Sequence, residues 1–427
     1  MTQSQSRAMK LSMDSAVDAL DTFCIDLLQE LVRTPSITGN EKPAQERIAA
    51  RLAEMGLAVD VWSPTLSDLA DHPAFSDDGF PLGDRPVVVA KWAGTDPGAP
   101  SLILNGHMDV VPTGDDRAWT GGPWSGEVRD GKLWGRGSCD MKGGLAAGVT
   151  AVAALQKLGI KPRGDVLIES VIGEETGGAG TLASILRGYR ADAAIILEPT
   201  RMALCPVGAG ALSFRIRVHG RAAHAATRQE GISAIAKFYH LMQALEELER
   251  ERHREFHHVL FQPGELVAPI SIGKIEAGDW PSTVPETLVA EGRYGVLPGE
   301  NIQTARTQFA EALNRAIARD EWLSAHPPDM EWFEGQFESG ETPLDAPVIH
   351  KILQAHHDVN GHEPRLHGVP YGSDLRLFTN NGGMNALLYG PGDVRIAHSL
   401  NEFVPLDEVR RVTKVLVRAI IDWSGWT

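Results

Sequence analysis

Cysteine is scarce in this chain of 427 residues: Cys24, Cys139 and Cys205 stand far apart, with no C-x-x-C pair. That spacing excludes a disulfide framework and a thiolate-rich zinc site, and it fits a reducing compartment. Apolar runs of membrane-spanning length are missing. The opening stretch, MTQSQSRAMKLSMDSAVDAL, has no apolar core of signal-peptide length, so the expectation is a soluble cytoplasmic protein with no membrane partner. Basic residues are outnumbered, 40 Lys and Arg against 56 Asp and Glu, for a formal net charge of −16. This argues against nucleic acid as a partner, which needs clustered positive charge. GRGSCD and GAGAL are only fragments of a dinucleotide loop, and neither completes G-x-G-x-x-G between a strand and a helix. A P-loop lysine motif, a G-x-S-x-G nucleophile elbow, internal repeats and low-complexity segments are also missing.

What is present is ordinary for a globular protein, 43% hydrophobic and 22% charged, with length enough for two or three domains. Helical spacing of Val17, Leu20, Ile25, Leu28 and Leu31 predicts a helix over 15–33, and a second is expected at about 43–55. Residues 63–86, SPTLSDLADHPAFSDDGFPLGDRP, read as a long surface excursion. Unbroken apolar runs follow at 87–92, 101–106, 165–172 and 193–197, with a helical segment at 143–159. Buried strands alternating with helices predict an α/β domain built on a mixed, mostly parallel sheet flanked by helices. Beyond residue 206 the pattern changes. LSFRIRVHG at 212–220 alternates strictly, as a half-wet antiparallel strand does. With helices near 231–256 and 301–319 and strands near 267–275 and 286–297, it forms an expected α+β insertion over 207–329. The catalytic domain is thus discontinuous, 1–206 and 330–427, with further elements near 346–358, 385–390 and 405–423.

Polar residues stand at the ends of those apolar runs: His107 and Asp109 in SLILNGHMDVVP, Asp140 in GRGSCDMKGG, Glu174 and Glu175 in VIGEETGG, Glu198 in IILEPT and His398 in IAHSLNEFVP. In open α/β sheets, ligands bind at the carboxyl ends of the strands. Imidazoles and carboxylates without thiolates suit Zn²⁺, and also Mn²⁺ or Co²⁺. The surplus of carboxylates points to two ions sharing a bridge, best supplied by Asp140 on its Gly-flanked turn. Asp109, two residues beyond His107 on the same face of an extended segment, is placed to accept the second imidazole N–H. Of the adjacent glutamates, one can bind metal while the other takes a proton from the attacking water.

GHMDVVP, GRGSCDMKGG, GEETGG, EPT, GRAAHAA and AHSLNEFVP occur here in order. Together they resemble the di-metal amidohydrolase family of acetylornithine deacetylase, succinyl-diaminopimelate desuccinylase, aminoacylase and carboxypeptidase G, from about residue 15 to the C-terminus. The resemblance implies one metal on His107 and Glu198, a second on Glu175 and His398, and Asp140 bridging. Glu174 becomes the general acid/base, with Asp109 as partner of His107. It further implies that the insertion is a dimerisation lid, making a homodimer, with His224 entering the neighbouring active site to stabilise an oxyanion. Arg293 would bind a substrate carboxylate, Gly372 would line the pocket, and Asp140–Met141 would be a cis peptide. One departure stands out: where many members have Asn-Val-Ile-Pro, this chain has WPSTVP, placing Ser282 at the substrate-touching position.

Blander readings apply elsewhere. His253 and His257 in ERHREFHH read as part of a solvated helix face, Cys139 as a packed residue, and Arg376 as either a substrate anchor or a loop brace. The expected activity is hydrolysis of a small N-acyl amino compound, acetylornithine-deacetylase-like in the first instance. Desuccinylation, deformylation, and dipeptidase or carboxypeptidase activity are the alternatives. A non-catalytic binding protein is the rival of another class. The 63–86 excursion is expected to form part of the pocket wall.

Overall fold

The computed structural model describes residues 3–427; Met1 and Thr2, within the N-terminal stretch read above, lie outside the described residues. The chain forms two compact units. One comprises the chain up to Pro206, with Glu341–His367 and Leu377–Thr427; the other comprises Val207–Gly340 and Gly368–Arg376.

In the first unit, strands Ala58–Trp62, Val87–Trp92, Val166–Val171, Leu102–His107, Ala193–Ile196 and Asn385–Leu388 lie side by side in that order. The central pairs are parallel: Leu102–His107 runs with Val166–Val171 on one side and Ala193–Ile196 on the other, and Asn385–Leu388 joins in parallel register. The outer pairs of Val87–Trp92 are antiparallel. Every residue of Leu102–His107 and Val166–Val171 is buried, which is why these segments read as unbroken apolar runs rather than alternations. Helices Gly143–Lys157 and Leu406–Ser424 pack on each other and on the Leu102–His107 strand.

The first predicted helix is two helices, Gln3–Asp18 and Asp21–Arg33, broken at Leu20, whose φ of −111° is not helical. Apolar spacing runs on through that break, so periodicity alone could not register it.

The inserted unit carries a four-stranded antiparallel sheet in the order Ile270–Ala277, Thr287–Val296, Gly210–His219, Asp329–Phe337. Leu212, Phe214, Ile216 and Val218 are fully buried on one face of the Gly210–His219 strand. They pack with Phe238 and Leu241 of helix Ala234–Glu255 and Phe309 of helix Ile302–Ile317. This unit runs on to Gly340 rather than stopping at 329. The reason is the Asp329–Phe337 strand, which pairs with Gly210–His219 but shifts register between Trp332 and Gln336. That irregularity breaks the alternation by which the strand could have been read.

Gly144, at the start of helix Gly143–Lys157, lets the helix lie against the chain just before Glu198: a Cβ there would sit 1.9 Å from the Leu197 carbonyl oxygen. Gly144→Ala is therefore expected to cost about 3 kcal/mol of stability, measured by urea unfolding. An unchanged midpoint would contradict this packing.

Candidate metal centre

Three neighbouring parallel segments deliver donors to one edge. His107 ends its strand and pairs in register with Val171, after which the chain turns through Gly173 to Glu174 and Glu175. Glu198 follows the Ala193–Ile196 strand, held there by the Leu197 amide donating to the Asn105 carbonyl. Asp140 comes from the turn Ser138–Lys142 ahead of helix Gly143–Lys157, and its bond to Met141 is cis. His398 lies in the loop after Asn385–Leu388 at φ +60°, a left-handed conformation uncommon outside glycine.

The Asp140 carboxylate stands between the two imidazoles, Oδ1 3.1 Å from His107 Nε2 and Oδ2 3.5 Å from His398 Nε2. Glu198 Oε1 lies 3.8 Å from His107 Nε2, and Glu175 Oε2 lies 3.1 Å from His398 Nε2. Ligands of one tetrahedral zinc ion are roughly 3.4 Å apart, so these separations fit the donor set of a shared, nitrogen- and oxygen-ligated pair of divalent ions. Donor atoms of His107, Glu174 and Glu198 lie within 4.8 Å of one another, as do those of His107, Asp140 and Glu175. Glu174 Oε2 lies 4.0 Å from His107 Nε2.

The supports differ from expectation in one atom. His107 Nδ1–H donates to the backbone carbonyl of Asp109 at 2.8 Å, while the nearest Asp109 carboxylate oxygen is 3.8 Å away. That carboxylate instead accepts the backbone N–H of Glu174 and of Glu175, each at 3.2 Å. Two directed amides hold it better than one imidazole can, and the Asp109 carbonyl still takes the Nδ1 proton of His107, which would leave Nε2 as the donor to a metal.

Sequence reasoning missed the base of the site. Glu402 is fully buried and accepts the backbone N–H of Cys139 at 2.9 Å and of Asp140 at 3.1 Å, while Arg136 Nη1 donates to it at 2.6 Å. It lies inside the quoted AHSLNEFVP motif, but a single glutamate there carries no spacing signal. Lys142 is also buried, donating to the Leu31 carbonyl at 2.9 Å. Burial pulls its ammonium down to about 7.

In the inserted unit, His224 and Ser282 are brought together, the Ala225 amide donating to the Ser282 carbonyl at 2.9 Å. Arg293 is drawn toward the segment carrying Gly372, donating to the Pro370 carbonyl at 3.2 Å. Arg376 is buried beneath the Phe337 ring, at 5.1 Å from its centroid. The His253 ring is occupied at both nitrogens, by the Glu249 carbonyl at 2.8 Å and the Ala268 amide at 3.0 Å. Cys139 is buried and its thiol is pushed far up by burial, in keeping with a packing role.

The electrostatics follow from crowding. Burial alone would lower the His107 imidazole, but Asp140, Glu198, Asp109 and Glu174 together raise it well above its ordinary value. The hydrogen bonds to Asp140 and Glu175 raise His398 to about 10. Burial pushes Glu175 up; at Asp140 burial is outweighed by the two imidazoles, and the carboxyl is held well below its usual range.

Residues 103–422 match the sequence profile of peptidase family M20/M25/M40. The chain belongs to this family. M20 enzymes are hydrolases of amide bonds, and this one has relatives of more than one named specificity. It is 30% identical to an N-formyl-4-amino-5-aminomethyl-2-methylpyrimidine deformylase of Halalkalibacterium halodurans, over 95% of this chain and 96% of that protein. It is 29% identical to an acetylornithine deacetylase of Myxococcus xanthus, over 83% and 88% of the two chains. Its fold matches human carnosine dipeptidase 1 with a TM-score of 0.76 at 19% identity, covering 97% and 99% of the chains. Among the described residues of this M20 chain, no helix is long and apolar enough to cross a membrane.

Imidazolium–carboxylate attraction stabilises the metal-free M20 chain at low pH and is lost as pH rises through the raised values, about 10 for His398. A metal held by both imidazoles would need them neutral, so protons and cations would compete for these nitrogens. Titrating Zn²⁺ into chelator-treated protein should release protons, read by calorimetry in buffers of different ionisation heat. The affinity should fall about tenfold or more between roughly pH 8 and 6. A pH-independent affinity would show that these imidazoles are not the ligands.

Proposed function

We propose that this M20 hydrolase removes a small acyl group, formyl or acetyl, from an amine, and that His107, Glu198, Glu175 and His398 would hold two divalent ions with Asp140 shared between them. The observation that carries the reading is the Asp140 carboxylate, which turns one oxygen toward each imidazole. The donor set favours Zn²⁺, with Mn²⁺ or Co²⁺ as the alternatives. Bound divalent ions supply Lewis acidity at the amide carbonyl and at the attacking water.

Glu174 acts as the general base and then the general acid. It takes a proton from water as the C–O bond forms and gives it to the nitrogen as the C–N bond breaks, releasing a carboxylic acid and an amine. The division of roles is supported by direction: Glu175 faces His398 at 3.1 Å, while Glu174 faces His107 at 4.0 Å. Asp109 holds both glutamates by their backbone amides. His224 Nδ1 accepts the Ala226 N–H at 3.1 Å, which places the ring proton on Nε2, the tautomer able to donate to an oxyanion. As in the expected homodimer, that imidazole would serve the neighbouring subunit. Arg293, Gly372 and Ser282 complete the substrate contacts, the Arg293 guanidinium being suited to a carboxylate.

The motifs alone favoured an acetylornithine-like substrate. Coverage of nearly the whole chain by a deformylase relative, against 83% for the deacetylase, supports testing deformylation first. A panel of N-formyl, N-acetyl and N-succinyl amines should show hydrolysis by the metal-loaded enzyme, fastest with formyl or acetyl. Glu174→Gln is expected to lower kcat by about 10²–10⁴-fold with metal content unchanged. Asp140→Ala should lose metal as well, measured by elemental analysis. Undiminished turnover in Glu174→Gln would remove the proposed base.

A further inference from the structure

The 63–86 excursion is anchored rather than loose. Leu69 is fully buried, Ala74, Ser76 and Leu82 are buried too, and a short helix, Leu66–Leu69, packs on helix Ala179–Arg187 directly after the GEETGG turn. At its end stands Arg85, 1% exposed, which distributes its donors between two buried carboxylates. Nε and Nη2 grip Glu41, the closest contact being 2.7 Å, and Nη1 donates to Asp78 Oδ2 at 2.9 Å. The same Asp78 oxygen accepts the Thr176 hydroxyl at 2.9 Å. Thr176 immediately follows Glu174 and Glu175. Gly173 precedes them at φ +65°, and a Cβ there would lie 3.0 Å from Arg85 Nη2. The glutamate turn is thus enclosed on the excursion's side by Arg85 and Asp78, while the Asp109 carboxylate takes its amides on the other.

We propose that the excursion is a clamp on the turn that carries Glu174 and Glu175, with Arg85, Asp78 and Thr176 as its positioning residues. The clamp is held by charge: Arg85 satisfies two carboxylates that could not otherwise be buried together. It acts through geometry, since the hydroxyl of Thr176 ties the backbone of the turn to Asp78. An error of about 1 Å at a reacting group costs roughly 10²-fold in rate, and a ligand held by an unsupported turn is loose in the same way. Arg85 touches neither substrate nor metal in this account.

The kinetic readout rests on the hydrolase reading; the spectroscopic one does not. Wild type, Thr176→Val, Thr176→Ser and Asp78→Asn are each loaded with Co²⁺. Their visible absorption is recorded beside kcat and KM on the best N-formyl or N-acetyl amine of the panel. Thr176→Val, of equal shape but without the hydroxyl, should lose about tenfold or more in kcat with KM held within about twofold, and should change the Co²⁺ absorption. Thr176→Ser should restore both. Asp78→Asn should follow Thr176→Val and supplies the reading if the valine variant does not fold. Wild-type kcat and spectrum in Thr176→Val, or equal losses in the valine and serine variants, would overturn the clamp. If wild type cleaves nothing in the panel, the hydrolase reading fails and the Co²⁺ spectra decide the clamp alone.

Discussion

Repulsion among buried carboxylates is the constraint around which the first unit is built. Asp109, Asp140, Glu174 and Glu198 are buried around one edge of the sheet, with Glu41 and Glu402 fully buried in the layer that supports them. Two like charges 4 Å apart repel by about 4 kcal/mol even at an effective dielectric of roughly 20. The fold answers with directed donors. Glu402 is met by two backbone amides and Arg136, Glu41 by Arg85, and Asp109 by the amides of Glu174 and Glu175. These supporting carboxylates are satisfied by the protein itself. Asp140, Glu175 and Glu198 face imidazoles instead, and that is the place where divalent cations would complete the balance in the reading proposed above.

The same constraint explains how two adjacent glutamates are tolerated. Their backbone amides point together into the Asp109 carboxylate, while their side chains diverge, Glu175 toward His398 and Glu174 toward His107. One negative group therefore orients the main chain of two others without adding to their crowding. The cost of burying Asp109 is offset by amide dipoles, which a carboxylate at a chain turn can accept with good geometry.

The α/β class and the donors at the strand ends were legible because both are local signals: unbroken apolar runs, then a polar residue beside glycine. The strand Gly210–His219 was legible from its period of two. What escaped were partnerships between residues distant in sequence. Glu402 supports Asp140, and Arg85 joins Glu41 to Asp78; no spacing rule relates those positions. The Asp109 correction has another origin. Position placed the residue beside His107, but the choice between its carbonyl and its carboxylate was decided by the Glu174 and Glu175 amides, visible only in three dimensions. The strand Asp329–Phe337 escaped because its register shift hides the alternation.

These long-range supports bear on how the centre forms. The donors of a metal site bind tightly only if their angles are set beforehand. Here the angles depend on Glu402 from near the C-terminus gripping the turn at Cys139 and Asp140. On the other side, Asp78 and Arg85 meet the turn at Thr176. The Glu402 support closes only when a segment near the C-terminus has packed against the turn, and the Asp78 support joins residues 98 apart in sequence. Local order at the centre is therefore coupled to the packing of segments distant in sequence. Ions that bind the assembled site stabilise the whole unit by mass action rather than a single loop.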